Sequence, residues 1–259
     1  MTEAPVKRQW WALIVLGLLA GFLSGLLGVG GGIVIAPTLL ALGFGQRLAA
    51  GTSLAAIVPT SIVGVIDYAL HGQVSWLAAA LIAAGAIVGA QIGTALLPRV
   101  SRRALQWGFV GFLALVFVSL LVVIPSRGAE MSIDVLTGIA IVIFGLGVGI
   151  LSGLLGVGGG FIIVPLLVLL FGASDVVAKG TSLLVMVPTA ISGTIGNVRR
   201  RNVDLPSALA IGLAACTTAS LGALAARGLD PLTANIIFAA LLLFLGVQMA
   251  VRASKPDPA

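Results

Sequence analysis

The sequence predicts an all-α membrane protein built from two inverted-topology repeats, each a glycine-broken helical hairpin followed by about three spanning helices. Three observations carry that prediction. Hydrophobic residues make up 59% of the 259-residue chain and charged residues 8%, and the mean hydropathy is +1.22, outside the range of soluble domains. The decapeptide LSGLLGVGGG stands at 23–32 and again, identically, at 151–160. Lysines and arginines fall on alternate sides of the apolar segments, as one fixed orientation in a bilayer requires.

Taken in order, the apolar runs are 10–27, 33–44, 50–70, 75–97, 104–124, 135–155, 161–172, 181–197, 205–226 and 232–251. Most approach the roughly 20 residues that a helix needs to cross the hydrocarbon core. The alternating ten-residue segments of an outer-membrane barrel are absent. Runs 33–44 and 161–172 are too short to span, at roughly 18 Å of helix against about 30 Å. Each directly follows a GVGGG, so each repeat opens with a helix, a break at membrane depth, and a half-helix starting at Ile33 or Phe161. Such backbone survives only where protein buries it or where it lines a cavity. Lys7 and Arg8 precede the first run as in a signal peptide, but no small-residue cleavage site follows and the segment recurs internally, so it reads as the first helix.

The repetition extends past the glycines. Gly51-Thr52-Ser53-Leu54 matches Gly180-Thr181-Ser182-Leu183, Pro59-Thr60 matches Pro188-Thr189, and Gly64, Val74 and Gly93 match Gly193, Val203 and Gly222. Residues 1–124 therefore form the first repeat and 135–259 the second, joined by a polar linker at 125–134 that holds Pro125, Arg127, Glu130 and Asp134. An odd number of crossings per repeat inverts the second against the first. Charge tests this independently. With both termini cytoplasmic, Lys7, Arg8, Arg47, Arg99, Arg102, Arg103, Arg199, Arg200, Arg201, Arg252 and Lys255 lie inside, and only Arg127, Lys179 and Arg227 outside. Equivalent loops swap character accordingly: His71-Gly72-Gln73 aligns with Arg200-Arg201-Asn202, while the arginines around Arg102 align with the segment beginning at Arg227. The formal charge of +6 is thus an orientation signal and not a nucleic-acid footprint.

Two glycine-interrupted segments at corresponding positions of two halves point to a transport substrate site. A helix start offers unpaired N–H groups and partial positive charge, the setting for an anion. Gly28, Gly30, Gly31 and Gly32, with Gly156, Gly158, Gly159 and Gly160, are the candidate binding residues. The competing use of such glycines is close helix packing, but that needs glycine at every fourth position and not three in succession. Phosphate-loop readings fail on order: Lys179-Gly180-Thr181 reverses glycine-lysine-threonine, and Ile33 stands where a dinucleotide fingerprint has glycine or alanine.

The GTSL motifs supply a second constellation. Positions seven apart return to nearly the same helix face, which aligns Ser53 with Thr60 and Ser182 with Thr189 as polar stripes extended by Gly64 and Gly193; Thr52 and Thr181 of the same motifs are candidates too. Hydroxyls in membrane helices also commonly bond their own backbone. Gln91 with its counterpart Ser220, and Asn197, are further pathway candidates, and Asp67 with His71 is the plausible titrating pair. No ionisable residue stands near the middle of any run, which argues against a dedicated proton relay. One histidine, one cysteine (Cys216) and no clustered acids leave nothing from which to build a metal site, a resident cofactor site or a hydrolytic centre.

Two copies of G-L-L-G-V-G-G-G, each followed by a proline (Pro37, Pro165), then G-T-S-L and P-T, resemble the TauE/SafE sulfite exporter family over about residues 10–252. The resemblance implies a multi-pass transporter in a prokaryotic plasma membrane that moves sulfite, thiosulfate, sulfonates or related sulfur anions. It also places Gly28 to Gly32 with Pro37, and Gly156 to Gly160 with Pro165, at the substrate. The expected partners are a small anion and the lipid bilayer, with no nucleic acid. The other reading from these residues is a channel-like or structural subunit of a membrane complex; the choice of sulfur anion, ion coupling and oligomeric state stay open.

Overall fold

The computed structural model describes residues 9–122 and 135–254. The linker 125–134 and the basic residues Lys7, Arg8, Arg127 and Lys255 lie outside them. All regular structure among the described residues is helical: α1 Trp10–Leu27, α2 Gly32–Ala41, α3 Gln46–Leu70, α4 Trp76–Leu96, α5 Arg102–Val122, α6 Val135–Leu155, α7 Gly160–Phe171, α8 Asp175–Arg199, α9 Leu205–Gly228 and α10 Pro231–Ala253. Of these, α1, α3, α4, α6, α8, α9 and α10 are long and apolar enough to cross a membrane. The ten residues of α2 reach only about 15 Å. The chain is an all-α multi-pass membrane protein.

Helices α3 and α8 start earlier than hydropathy suggests, at Gln46 and Asp175 instead of 50 and 181. Their first turns carry Gln46 and Arg47, or Asp175 and Lys179, which interrupt an apolar run without interrupting a helix. Ser174 caps α8 by accepting the Val177 N–H at 3.4 Å, and Asp175 favours the positive end of the helix.

Packing runs between the halves more than within them. Helix α1 lies along α9 and α4 along α6; α3 touches both α8 and α9, and α8 touches α4. Exchanging each element for its counterpart in the other half maps this set onto itself. Small residues make the contacts close. A Cβ at Gly17, Gly21 or Gly25 would stand 2.4, 2.1 or 1.9 Å from the carbonyls of Ile211, Ala215 and Ala219. At Gly85, Gly89 and Gly93 it would stand 2.0, 2.2 and 2.3 Å from those of Val142, Leu146 and Ile150. Without a hydrophobic drive between helices in lipid, this backbone-to-backbone contact is the main attraction available.

Helix direction follows from the same contacts. Gly51 meets Asn202 and Gly180 meets Gln73, while Gly64 faces Leu183 and Gly193 faces Leu54, so α3 and its counterpart α8 run antiparallel. One end of the molecule therefore gathers the start of α3, the end of α4, the end of α8 and the start of α9, with Arg47, Arg99, Arg199, Arg200 and Arg201. Arg47 and Arg200 there reach the carbonyls of Pro98 at 2.8 Å and Gly196 at 2.7 Å. At the opposite end Lys179 pairs with Asp175 and Arg227 with Asp67. All four tryptophans, Trp10, Trp11, Trp76 and Trp107, sit exposed in the first two turns of their helices, where interfacial aromatics belong.

Candidate functional site

Each GVGGG is a chain reversal between a long helix and a half-helix. Helix α1 ends at Gly28 (φ 70°), whose N–H bonds the Ser24 carbonyl at 2.8 Å, and α6 ends alike at Gly156 (φ 74°) on Ser152. The half-helices start one residue before the sequence suggests. Gly31 (φ 73°) and Gly159 (φ 77°) are left-handed N-caps, and Gly32 and Gly160 begin α2 and α7. The left-handed caps explain why glycine is required there. No residue of α2 can accept the N–H groups of Gly32 and Ile33, because they head the helix.

The two breaks touch. A Cβ at Gly32 would stand 2.6 Å from the Val157 carbonyl, and one at Gly160 2.8 Å from that of Gly28. Ile57 and Met186, near the midpoints of α3 and α8, each lie against both Gly30 and Gly158. Helices of 25 residues are about 37 Å long, so their midpoints put the breaks near the centre of a bilayer about 30 Å thick. Every residue from Ser24 to Ile33 and from Leu155 to Pro165 is buried.

Hydroxyls surround this centre unequally. Ser182 donates to the Gly28 carbonyl at 2.9 Å and to the Gly160 carbonyl at 3.2 Å, tying both breaks to α8. Its counterpart Ser53 is fully buried with no hydrogen-bond partner. Ser24 and Ser152, equivalent positions one turn before the breaks, are 0% and 1% exposed and equally unpartnered. The Ser152 Cβ is 3.7 Å from a Cβ placed on Gly159. Leaving a buried hydroxyl unmatched costs about 1–3 kcal/mol, so each of the three is kept at a cost in stability.

Other candidates have structural employment. Thr60 and Thr189 donate to the carbonyls of Ala56 at 3.0 Å and Val185 at 2.8 Å, one turn back in their own helices. Their protons are therefore used locally. Thr52 accepts the Asp204 N–H and Thr181 the Ser75 N–H, both at 2.9 Å; each holds the start of a helix from the other half. Pro37 and Pro165 lie buried inside α2 and α7. Gln91 donates to the Ser192 carbonyl at 2.6 Å and so joins α4 to α8, whereas Ser220 is exposed on α9. Asn197 is buried and donates to Gly193 at 3.0 Å. His71 bonds the Asp67 carbonyl at 2.8 Å, while the Asp67 carboxylate takes Arg227 from α9.

The family model described as sulfite exporter TauE/SafE matches residues 2–120 and 141–259. The chain belongs to that family. This TauE/SafE member is a membrane transporter, and its relatives carry the same description. It is 29% identical over 264 residues to the probable membrane transporter protein YunE of Bacillus subtilis, covering 92% of this chain and 96% of the relative. It is 25% identical to a probable membrane transporter protein of Methanocaldococcus jannaschii, covering 92% and 94%. A sulfite exporter TauE/SafE family protein 1 of Arabidopsis thaliana is 34% identical over 91 residues, 35% of this chain and 20% of the relative. No solved structure matches.

Within this TauE/SafE member, the sequence reading did not single out Ser24 and Ser152, although they are part of the doubled decapeptide. It also left out the buried Asp175 and Lys179. Their spacing of four, and the exclusion of Lys179 from the cytoplasmic set, were the available signals.

Proposed function

We propose that this transporter exports a sulfur-containing oxyanion or organosulfonate of the sulfite, thiosulfate or sulfonate class through a mid-membrane site between the two breaks. The observation that carries the reading is the meeting of two helix N-termini, with three buried, unpartnered serines on the helices that lead into and pack the breaks. N–H groups at Gly30 to Gly32 and Gly158 to Gly160, with the hydroxyls of Ser24, Ser53 and Ser152, offer donors from several directions, as a pyramidal or tetrahedral oxyanion needs. A hydroxyl or amide donor holds an anion without the depth of a fixed-charge trap, which suits release.

The orientation that goes with this reading is a prokaryotic plasma membrane with both termini cytoplasmic and the two repeats inverted. The antiparallel run of α3 and α8 and the arginine-rich end support it. A membrane potential negative inside then favours anion export by about 2.3 kcal/mol per charge per 100 mV, so outward movement needs no coupled ion.

The test is flux of labelled sulfite, thiosulfate and methanesulfonate through purified protein in liposomes at two clamped potentials. The expected result is flux of one class that rises as the interior is made more negative. Flux of none, from folded protein, overturns the substrate reading, and flux indifferent to potential overturns the electrogenic one. Alanine at Gly31 or Gly159 is a poor probe, since positive φ strains any side chain there.

A further inference from the structure

Two side chains from equivalent positions stand between the breaks, Ile57 of α3 and Met186 of α8, and both are 0% exposed. The Met186 methyl, Cε, is the atom nearest to a Cβ built on Gly30 and also to one built on Gly158. It lies between the two breaks. A Cβ on Gly160 would stand 2.6 Å from the Met186 Sδ and 2.9 Å from the Ser182 Oγ, while one on Gly32 would stand 2.5 Å from the Ile57 Cδ1. Gly32 and Gly160, the first residues of α2 and α7, lack the positive φ of the glycines before them. Crowding by these side chains and by the facing carbonyls, not conformation, is what excludes a larger residue there. The start of each half-helix is thus covered by an apolar side chain.

The two covers differ in how they can move. Isoleucine is β-branched and held in one preferred χ1 in a helix, whereas methionine is unbranched, turns about three bonds and fills irregular space. Rotation about those bonds can draw the Met186 methyl from between Gly30 and Gly158 with the α8 backbone in place; Ile57 has no such freedom. Each residue stands two positions before a proline inside its helix, Pro59 or Pro188, and a proline has no N–H to give the carbonyl four residues back. Both helices are therefore loosened at the same level, so the side chain is what distinguishes them.

We propose that Met186 is the movable half of an apolar plug between the breaks, and that the room its thioether vacates sets the size of anion the transporter accepts. This rests on the anion reading above. Ile57 is the fixed half, a wall beside the substrate. With Met186 in place, the N–H groups at the half-helix starts are shielded and no anion is held. With it turned aside, an oxyanion fills the place of the methyl, within reach of donors from both breaks. A compact oxyanion needs that room alone, whereas a sulfonate with a longer alkyl chain needs more than Met186 leaves.

The test is transport by Met186→Ala and Met186→Ile in proteoliposomes, read as kcat and KM for labelled sulfite, thiosulfate, methanesulfonate and propanesulfonate, with the thermal midpoint measured alongside. Met186→Ala removes the movable half and should raise kcat/KM for propanesulfonate, relative to the best small anion, by about tenfold or more, the scale on which an apolar pocket discriminates by methylene groups. Met186→Ile makes both halves stiff at nearly constant volume; it should lower kcat several-fold while the thermal midpoint stays near the wild-type value. If Met186→Ala does not fold, the kcat of Met186→Ile decides alone. Unchanged anion ratios in a folded Met186→Ala, or a wild-type kcat in Met186→Ile, would make Met186 packing only and overturn the proposal while the anion reading stands. If the folded wild type carries none of the four anions, the anion reading itself falls and takes this assignment with it.

Discussion

The break after α1 and the break after α6 share ten residues and nearly all of their backbone geometry, yet their surroundings differ. The first leans on Lys179 and the second on Ala50; Ser182 bonds a carbonyl in each break, whereas the hydroxyl of its equivalent, Ser53, has no hydrogen-bond partner. Tyr68 donates to the Gly25 carbonyl at 2.8 Å before the first break, whereas its counterpart Asn197 bonds within its own helix. Repetition has preserved the part that must be glycine for conformational reasons and released the part that meets it. What is common to the halves is therefore scaffold and donor geometry. What differs is where directionality can reside.

The largest expected effect comes from forcing the two sides to match. Ala50→Lys places an unpaired cation against the Gly156 backbone and should cost about 3–5 kcal/mol, the penalty of a buried charge without its partner. Adding Gln46→Asp should restore much of the thermal midpoint, and no recovery would show that α3 cannot hold the pair that α8 holds. Next come Thr52→Val and Thr181→Val. Each orphans one N–H at the start of a helix from the other half, at about 1–3 kcal/mol. Near-equal shifts in denaturation midpoint are expected, and a large inequality would break the structural equivalence of the GTSL motifs.

Ser24→Ala and Ser152→Ala should leave stability unchanged or raised, because a hydroxyl without a partner is removed. Each should weaken anion binding about tenfold, the worth of one hydrogen bond to a charged group. Anion-induced shifts of the thermal midpoint would measure both at once, and a loss of stability without loss of binding would make these serines structural. The smallest effect separates the ends of the two halves by pH. Asp230 caps α10, accepting from the Thr233 N–H at 2.9 Å and from its hydroxyl at 2.6 Å, and these bonds hold its carboxyl below the ordinary value. The equivalent cap of α5 is Ser101, which accepts the Ala104 N–H at 3.2 Å and does not titrate. The Asp230 contribution is present above the ordinary carboxylate range and lost as pH falls through its depressed folded value. Amide exchange at the start of α10, but not of α5, should quicken in acid, and Asp230→Ser should abolish the difference.

Much of this architecture was legible because its causes are local. Three successive glycines can be read as a reversal wherever they stand, and arginines that swap between equivalent loops agree with the antiparallel run of α3 and α8. Thr52 and Thr181 stood out by recurrence, but their work joins residues 152 and 106 apart in sequence, which no local pattern reveals. Ser24 and Ser152 gave no sign of being unpartnered, since a missing bond is a property of the surroundings. Asp175 and Lys179 were hidden by the hydropathy scan itself, which treats charge as loop even where a helix has already begun. Ser220 aligned with Gln91 but lies on the outer face of α9, because equivalent helices need not present every equivalent residue inward.

Because α1 packs along α9 and α4 along α6, neither half can satisfy its own glycine faces. During synthesis the first helix is in the bilayer roughly 180 residues before the surface it fits exists, on the order of ten to forty seconds at about 5–20 residues per second. The first helix must wait, loosely held by lipid, and its glycine face closes only when α9 has been inserted beside it.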